Sequence, residues 1–525
     1  MRTIQLVAVG LTLTLFQFNV PARAADETSA KGKIVGVDLF KNGLAIVKCE
    51  VTLGKSGTYI LDEVPHPVHG TFWVDSPGAS VDTQVKMRDV EVPVAEAGTG
   101  NLQADLGGKK VTIHLKGMAR APVVGTMMKL KPGKGEEAVG AGRFLLVQTA
   151  KGRVYVDAAD VQAVEAEDAG DKVTRRKPRL LLTLGETDKA ETKVTLRYLT
   201  HGMAWAPSYR IDISDPKTLT LEQHAVVRNE LTNLDGAEVR LISGFPSVEF
   251  MHVRSPLAPG VNWGTYFSEL GSRMHRDIDV LSNSVMTQQV GNPRRSAIST
   301  SIGAIPTGEG VDLHYQPIGK RTMAEGDSLA LTIAKGKADY ERIVEWVVPD
   351  SRNHWGHASE GTDGDAWDAL KFKNPLAFPM TTAPAMVTSG GQFNGQRTSY
   401  FTNPGEEMVL KVEKALSVRT RATEHEVAGK ENTGRDLVWI GGRQFRKSTV
   451  EGELTVSNHR KEGISMVIRR QFSGDLVSAE GAPKVELREE GVYSINKRNE
   501  MNWTLAMKGG EEKKFKYTYT VLVAN

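Results

Sequence analysis

The sequence predicts an all-β protein in which several β-sandwich or barrel domains follow one another, including a small SH3- or Sm-like barrel, with a long flexible insertion. Short runs of alternating apolar and polar residues are the first observation, because a period of two places the apolar residues on one face of a strand. Turn signals containing Gly or Pro separate these runs. The composition agrees, since 52 glycines and 6% aromatic residues in 525 favour many short strands over long helices.

The clearest alternation lies between residues 193 and 249. These residues belong to the segment 175–254, which is predicted to be the first half of a central β-domain. Its apolar positions form three runs, which are Val194, Leu196 and Tyr198; Tyr209, Ile211 and Ile213; and Val239 and Leu241. Pro207, Pro216 and Gly236 lie in the turns between them. We therefore expect a compact antiparallel β unit here.

Residues 1–24 are predicted to be a signal peptide. A positively charged start containing Arg2 precedes an apolar run from Ile4 to Phe18, and Ala22-Arg23-Ala24 has the small residues of a signal-peptidase site. The apolar run is shorter than the roughly 20 residues that a membrane-spanning helix needs. We expect cleavage near Ala24 and a periplasmic or secreted mature chain with no membrane span.

The rest of the chain divides at shifts in composition and pattern. The predicted regions are an N-terminal β-domain at 25–96 with a hairpin at Asn42-Gly43, the small β-barrel at 97–170, the flexible insertion at 255–311, and a central and C-terminal β-sandwich region at 312–525. The insertion is rich in Ser, Gly, Pro, Asn and Thr, and we expect it to be poorly ordered, with a short helix between Met274 and Leu281.

The order of several short motifs resembles a bacterial family of exported proteins. The motifs are Trp205-Ala206-Pro207-Ser208-Tyr209, Asn229, Val239-x-Leu241, Gly244-x-Pro246, Asn374-Pro375, Pro404-Gly405-Glu406 and the strand leading to Asn458-His459-Arg460-Lys461. In this order they resemble the domain-of-unknown-function 4139 family, also called mucoidy-inhibitor-A-like. One departure is Leu234-Asp235-Gly236, where family members often have two acidic residues and a Trp. The resemblance implies a multidomain β protein of the cell envelope, and the family name hints at exopolysaccharide.

Common catalytic and nucleic-acid signatures are absent from the sequence. It has no H-E-x-x-H, G-x-S-x-G or G-x-G-x-x-G motif, and Cys49 is its only cysteine. The net charge is +3, without a long block of one sign, so the charge pattern does not indicate a nucleic-acid-binding surface. We therefore predict no cofactor and no nucleic-acid partner.

One segment could supply metal ligands. His354 and His357 are three residues apart, and Asp363 and Asp365 follow closely. Imidazole and carboxylate groups at such spacing are suited to a transition metal, and the two aspartates alone could form part of a calcium loop. The alternative interpretation is a polar surface loop in which Asp and Gly make turns.

Two aromatic residues are candidates for binding, and two asparagines are candidates for a structural role. Trp205 and Tyr209 could stack on a sugar or a base, or they could pack in the core beside the Pro207 turn. Asn229 and Asn458 end predicted strands, and we expect their side chains to bind backbone groups in turns.

Three functions are consistent with these observations. The first is a non-enzymatic interaction or scaffold protein of the cell envelope, whose partner is an envelope protein or a polysaccharide. The second is a polysaccharide-binding protein that uses exposed aromatic residues, for which Trp263, Trp355 and Trp367 lie in loop-like segments. The third is a metal-dependent hydrolase that uses His354, His357 and the nearby carboxylates.

Overall fold

The structure is a computed structural model that describes residues 27–94, 101–117, 121–130, 142–167, 172–244, 248–272, 313–350, 364–427, 437–490 and 495–524. It is nearly all β, with several separate sheets and very little helix, which confirms the predicted fold class. The predicted signal peptide lies outside the described residues. In the described ranges, no helix is long and apolar enough to cross a bilayer.

The N-terminal part of the chain contributes six strands and a small five-stranded unit. The first strands are β1 (Thr28–Ser29), β2 (Gly32–Leu39), β3 (Leu44–Leu53), β4 (Gly57–Leu61), β5 (Trp73–Asp75) and β6 (Val81–Pro93). A short helix and the barrel strands follow, namely α1 (Leu102–Asp105), β7 (Lys110–Leu115), β8 (Val123–Met127), β9 (Phe144–Thr149), β10 (Gly152–Asp157), a 3-10 turn (Ala158–Asp160) and β11 (Val161–Ala166).

The central part contains most of the largest sheet. Its elements are β12 (Lys172–Leu184), β13 (Thr192–His201), β14 (Met203–Asp212), β15 (Thr218–Asn229), β16 (Leu234–Ser243), α2 (Trp263–Gly271), β17 (His314–Met323), β18 (Ser328–Val348), β19 (Ala366–Lys373), β20 (Ala383–Ser389), β21 (Gln392–Ser399) and β22 (Glu407–Lys414). The last strands are β23 (Val418–Glu426), β24 (Leu437–Ile440), β25 (Arg443–Asn458), β26 (Ile464–Ser473), β27 (Asp475–Ala479), β28 (Lys484–Glu489), β29 (Arg498–Met507) and β30 (Glu512–Ala524).

The five-stranded unit has the strand order β10-β9-β8-β7-β11. The last of these strands in the chain, β11, therefore pairs with the first, β7, as in a small SH3-like barrel. Val111, Ile113 and Val147 lie in its core. In the chain, the unit lies between β6 and β12, which pair antiparallel along their whole length from Val81↔Leu184 to Lys172↔Pro93.

Strands from the predicted N-terminal and central regions share one sheet. Its order is β17-β16-β2-β3-β13-β5, so the hairpin β2–β3 lies between β16 and β13. The β2–β16 pairing is parallel, with Val37 opposite Val239. Both side chains are buried in a core that also contains Trp205.

The largest sheet connects successive sandwiches through one long strand. Its order is β21-β20-β14-β15-β18-β26-β29-β28, with β19 pairing β18 and β22. The first half of β18 pairs with β15 and its second half with β19 and β26. The final sheet, β23-β25-β30-β27 with β24 beside β25, packs on the β26–β29 part around Trp346, Ile468 and Tyr519.

The alternation predicted around Tyr209 and Val239 is confirmed. The side chains on the predicted apolar faces are buried, including Val194, Leu196, Tyr209, Ile211, Ile213, Val239 and Leu241. The predicted insertion begins differently from expectation, because residues 255–262 form turns and α2 follows them in an ordered helix. The helix expected at Met274–Leu281 lies outside the described residues.

Three buried asparagines hold equivalent positions in three parts of the framework. Asn229 ends β15, Asn374 follows β19, and Asn458 ends β25. Each Oδ1 accepts a hydrogen bond from the backbone N–H two residues later, at 2.9–3.1 Å. Each Nδ2 donates to a carbonyl shortly after the asparagine and to a distant one, at 2.7–3.1 Å. The structural role predicted for Asn229 and Asn458 is confirmed.

The backbone of each asparagine also forms hydrogen bonds with a four-residue turn that lies elsewhere in the sequence. The turns are Ala324-Glu325-Gly326-Asp327, Asn403-Pro404-Gly405-Glu406 and Lys508-Gly509-Gly510-Glu511. In each, the glycine has positive φ and its N–H donates to the asparagine carbonyl, while the asparagine N–H donates to the acidic residue's carbonyl. The acidic side chain accepts the N–H of the first turn residue. We call each asparagine with its turn an asparagine latch.

Candidate functional site

Trp205 lies in the core, not at a surface. Its side chain is 2% exposed, and its indole N–H donates to the carbonyl of Ile242 at 3.1 Å. The alternation of β14 places it inward, opposite Val227 of β15. Neither ring face is open to a stacking ligand, so the geometry supports the core-packing alternative.

Tyr209 is buried to the same extent and belongs to a small polar cluster. Its hydroxyl donates to the carbonyl of Thr381 at 3.1 Å and accepts from the N–H of Thr381 at 2.8 Å. Lys41, in the β2–β3 turn, donates to Oγ1 of Thr381 at 2.8 Å and to the carbonyl of Thr382 at 3.2 Å. Burial raises the pKa of the Tyr209 phenol and lowers the pKa of Lys41 to about 7. The cluster ties the N-terminal hairpin to the β20 region and gives a ligand no access to the Tyr209 ring.

The metal hypothesis rests largely on residues that the structure does not describe. His354, His357 and Asp363 lie outside the described residues. Asp365 is described, and its carboxylate pairs with Lys414 Nζ at 2.5 Å in a cleft of about 220 Å³ that Arg419 also lines. Among the described residues, no three His, Cys, Asp or Glu side chains come together as a metal site would need.

The charged cluster in the C-terminal sandwich was not anticipated from the sequence. Arg470 Nη2 donates to Glu424 at 2.5 Å, Tyr517 donates to the same carboxylate at 2.7 Å, and Arg470 Nε donates to the Tyr517 oxygen at 3.0 Å. Tyr519 donates to the other Glu424 oxygen at 3.3 Å. These groups satisfy one another inside the sandwich, so the cluster fixes the packing of the two sheets.

The most exposed aromatic cluster lies on and beside α2. Trp263 is 65% exposed and Phe267 is 60% exposed, and their rings stack with centroids 5.6 Å apart. Leu270 continues the same side of the helix at the i+7 position, and Phe250, in the turn before the helix, contacts the His69 ring that also contacts Tyr266; both Leu270 and Phe250 are exposed. We call Phe250, Trp263, Phe267 and Leu270 the aromatic patch.

Buried contacts under α2 hold the patch in place. Tyr266, whose ring contacts those of Trp263 and Phe267, is buried, and its hydroxyl hydrogen-bonds to His69 Nε2 at 3.0 Å. The His69 ring lies edge-on to Tyr266 and to Phe250, with centroids 5.1 Å and 6.0 Å away. Asn262 caps the helix by accepting the N–H of Thr265 at 2.9 Å.

A charged pair borders the patch. Arg254 donates to Oε1 of Glu269 from Nε at 2.9 Å and from Nη2 at 2.6 Å, and its backbone N–H donates to Oε2 at 2.9 Å. Burial raises the pKa of Glu269, but the hydrogen bonds from Arg254 outweigh it and leave that pKa below its usual value. A flat aromatic surface beside a fixed ion pair can contact apolar groups and hydrogen-bond to polar ones at the same time.

The sequence contained a signal for this helix. Asn262 is a good N-cap residue, and Trp263, Tyr266, Phe267 and Leu270 follow at helical spacing. The Gly- and Ser-rich composition of the surrounding segment outweighed that signal, so the predicted insertion included it.

Comparison with protein-family models finds no family that matches this chain, and comparison with curated proteins finds no match.

Proposed function

We infer that this chain is a non-enzymatic interaction protein of the cell envelope, in which β-domains hold the aromatic patch at the surface. The observation that carries this proposal is α2, which turns Trp263, Phe267 and Leu270 outward while Tyr266 anchors it to His69. Contiguous apolar side chains rimmed by polar groups are typical of interaction sites. Large aromatic side chains also contribute most of the binding energy in many interfaces.

The proposed partner is an envelope protein, reached after export by the signal peptide predicted at residues 1–24. The order of family-like motifs supports membership of the domain-of-unknown-function 4139 family, and with it a location in the periplasm or outside the cell. N-terminal sequencing of the mature protein from a periplasmic fraction should begin near Ala25. A mature chain that retains Met1 would contradict this part of the proposal.

Site-specific photocrosslinking tests the interaction. A photoreactive phenylalanine analogue replaces Phe267 in the full chain in cells, and the control carries it at Trp73, which is equally exposed on β5. We expect the analogue at 267 to capture one reproducible protein. That protein, once purified, should bind the wild-type chain and lose about tenfold or more in affinity for the Trp263→Ala/Phe267→Ala variant. Equal capture at both positions, or unchanged affinity, would contradict the proposal.

A polysaccharide is the second candidate partner, and the ion pair beside the patch favours it. Sugar rings stack on aromatic faces, and Arg254 with Glu269 presents planar groups that can bind hydroxyls. A panel of envelope polysaccharides tests this alternative, with retention on the immobilised wild type compared with the Trp263→Ala/Phe267→Ala variant. Retention that the double substitution abolishes would favour the polysaccharide over a protein. No observation on the described residues favours the metal-dependent hydrolase.

A further inference from the structure

A second apolar surface lies at the hairpin of β24 and β25, far from α2 in the sequence. Leu437, Val438, Trp439 and Ile440 make up β24, and all four are exposed, with Trp439 at 67%. Gly441 and Gly442 turn the chain with positive φ, and Ile440 pairs with Arg443 across the turn. We call residues 437–444 the tip hairpin.

The tip hairpin extends beyond the sheet that supports it. The pairing of β25 with β30 ends at Phe445↔Ala524, so Arg443 and Gln444 continue past the last paired residue of β30. Among the described strands, β24 pairs only with β25. Trp439 and Ile440, which pair with Gln444 and Arg443, therefore lie at the end of a two-stranded ribbon, and Leu437 and Val438 lie beside the last residues of β25 that still pair with β30.

The apolar side chains point to both sides of this ribbon. Alternation along a strand places Leu437 and Trp439 on one face and Val438 and Ile440 on the other. A strand added by a partner would cover the edge of β24, and a flat protein surface would cover one face. Either of these partners would leave some of the four apolar side chains exposed. An environment that surrounds the ribbon would cover the apolar side chains on both of its faces.

Basic residues lie next to this apolar end. Arg443 and Lys447 are exposed on β25, and Arg446 is partly exposed and pairs with Glu426. Tryptophan concentrates at the boundary between lipid headgroups and acyl chains, and Lys or Arg near that boundary is attracted to anionic lipids. We propose that the tip hairpin inserts into the interface of a bilayer containing anionic phospholipid, giving the protein a peripheral membrane contact in addition to its proposed interaction function.

Vesicle flotation of the full mature chain tests this proposal. The vesicles contain phosphatidylcholine alone or equal parts of phosphatidylcholine and phosphatidylglycerol. We expect the wild type to float with the anionic vesicles, and to do so less as salt screens the basic residues. The Trp439→Ser/Ile440→Ser variant should lose about tenfold or more in partitioning, because burying one large apolar side chain is worth about that factor.

Two controls keep the test decisive. Trp73→Ser removes an equally exposed tryptophan from β5 and should leave flotation unchanged, and an unaltered circular dichroism spectrum should show that the double variant is folded. The proposal is overturned if the wild type floats with neither vesicle or if the double variant floats as the wild type does. It is also overturned if the wild type forms a dimer that the double substitution dissolves while no vesicle binds, since a second copy would then cover β24.

Discussion

Substitution of Asn458 by Ala should open the C-terminal asparagine latch. The change removes three hydrogen bonds, from Nδ2 to the carbonyls of Glu462 and Lys508 at 3.0 Å and from the N–H of Arg460 to Oδ1 at 3.1 Å. At about 1 kcal/mol net for each, we expect a local loss of about 3 kcal/mol. Asn458 is almost completely buried, so water is poorly placed to replace these bonds.

Hydrogen exchange measured by mass spectrometry is the suitable assay, because a chain of several domains does not unfold in one step. A local loss of about 3 kcal/mol corresponds to a fall of about a hundredfold in the protection of amides that exchange through this opening. The peptide to follow covers Lys508–Glu511, including the Gly510 N–H that donates to the Asn458 carbonyl. Protection within twofold of wild type would refute the reasoning.

Two further variants separate hydrogen bonding from packing. Asn458→Asp keeps the shape of the side chain but turns an oxygen toward the carbonyls of Glu462 and Lys508, so it should reduce protection more than Ala does. Asn394→Ala removes an amide from a half-buried position on β21 and should leave residues 508–511 unchanged. If Asp were tolerated better than Ala, the side chain would be filling space and the hydrogen bonds would matter little.

Two other predictions follow from buried groups. The pKa of Lys41 is lowered by burial to about 7 from its ordinary value of 10.5, so the unfolded chain binds more protons between these values and stability should rise with pH across that window. Lys41→Met should flatten this rise in thermal denaturation scans from pH 7 to 10, whereas Lys31→Met, at an exposed lysine, should keep it. Gly452 lies against the Tyr517 ring, which a Cβ at 452 would overlap, so Gly452→Ala should cost about 1–3 kcal/mol in denaturant unfolding of the C-terminal sandwich. Gly271→Ala, which meets open space, should change that unfolding by less than about 0.5 kcal/mol.

Local pattern was sufficient to predict the strands but not their partners. The alternation of Tyr209, Ile211 and Ile213 predicts which side chains of β14 and the residue after it are buried, because the period of two is a property of the strand itself. The parallel pairing of β2 with β16 joins residues about 200 positions apart, Val37 and Val239, and no local period contains that information. Strand order therefore had to come from the structure.

The candidate sites show the same division between local and long-range information. The pattern of an aromatic residue in a strand is consistent with either a ligand platform or a core position. The burial of Trp205 and Tyr209, and their hydrogen bonds to the carbonyls of Ile242 and Thr381, decide between the two. The prediction that Trp263 and Trp367 lie in loop-like segments is wrong, because Trp263 begins α2 and Trp367 lies in β19, although Trp263 is highly exposed. Trp355 lies outside the described residues. The tip hairpin was missed because four consecutive apolar residues in a strand normally indicate a buried one.

The asparagine latches depend on the residue type at only a few sequence positions. The three turns share only a glycine in the third position and Asp or Glu in the fourth, since Ala324-Glu325, Asn403-Pro404 and Lys508-Gly509 have no residue type in common. The glycine is required because φ lies between +72° and +93°, and the carboxylate is required because it accepts the N–H that opens the turn. The asparagine is required because one side chain must both donate and accept. Selection on these three positions alone would preserve the latch, so the three latches can keep the same hydrogen bonds while the other residues of each turn change freely.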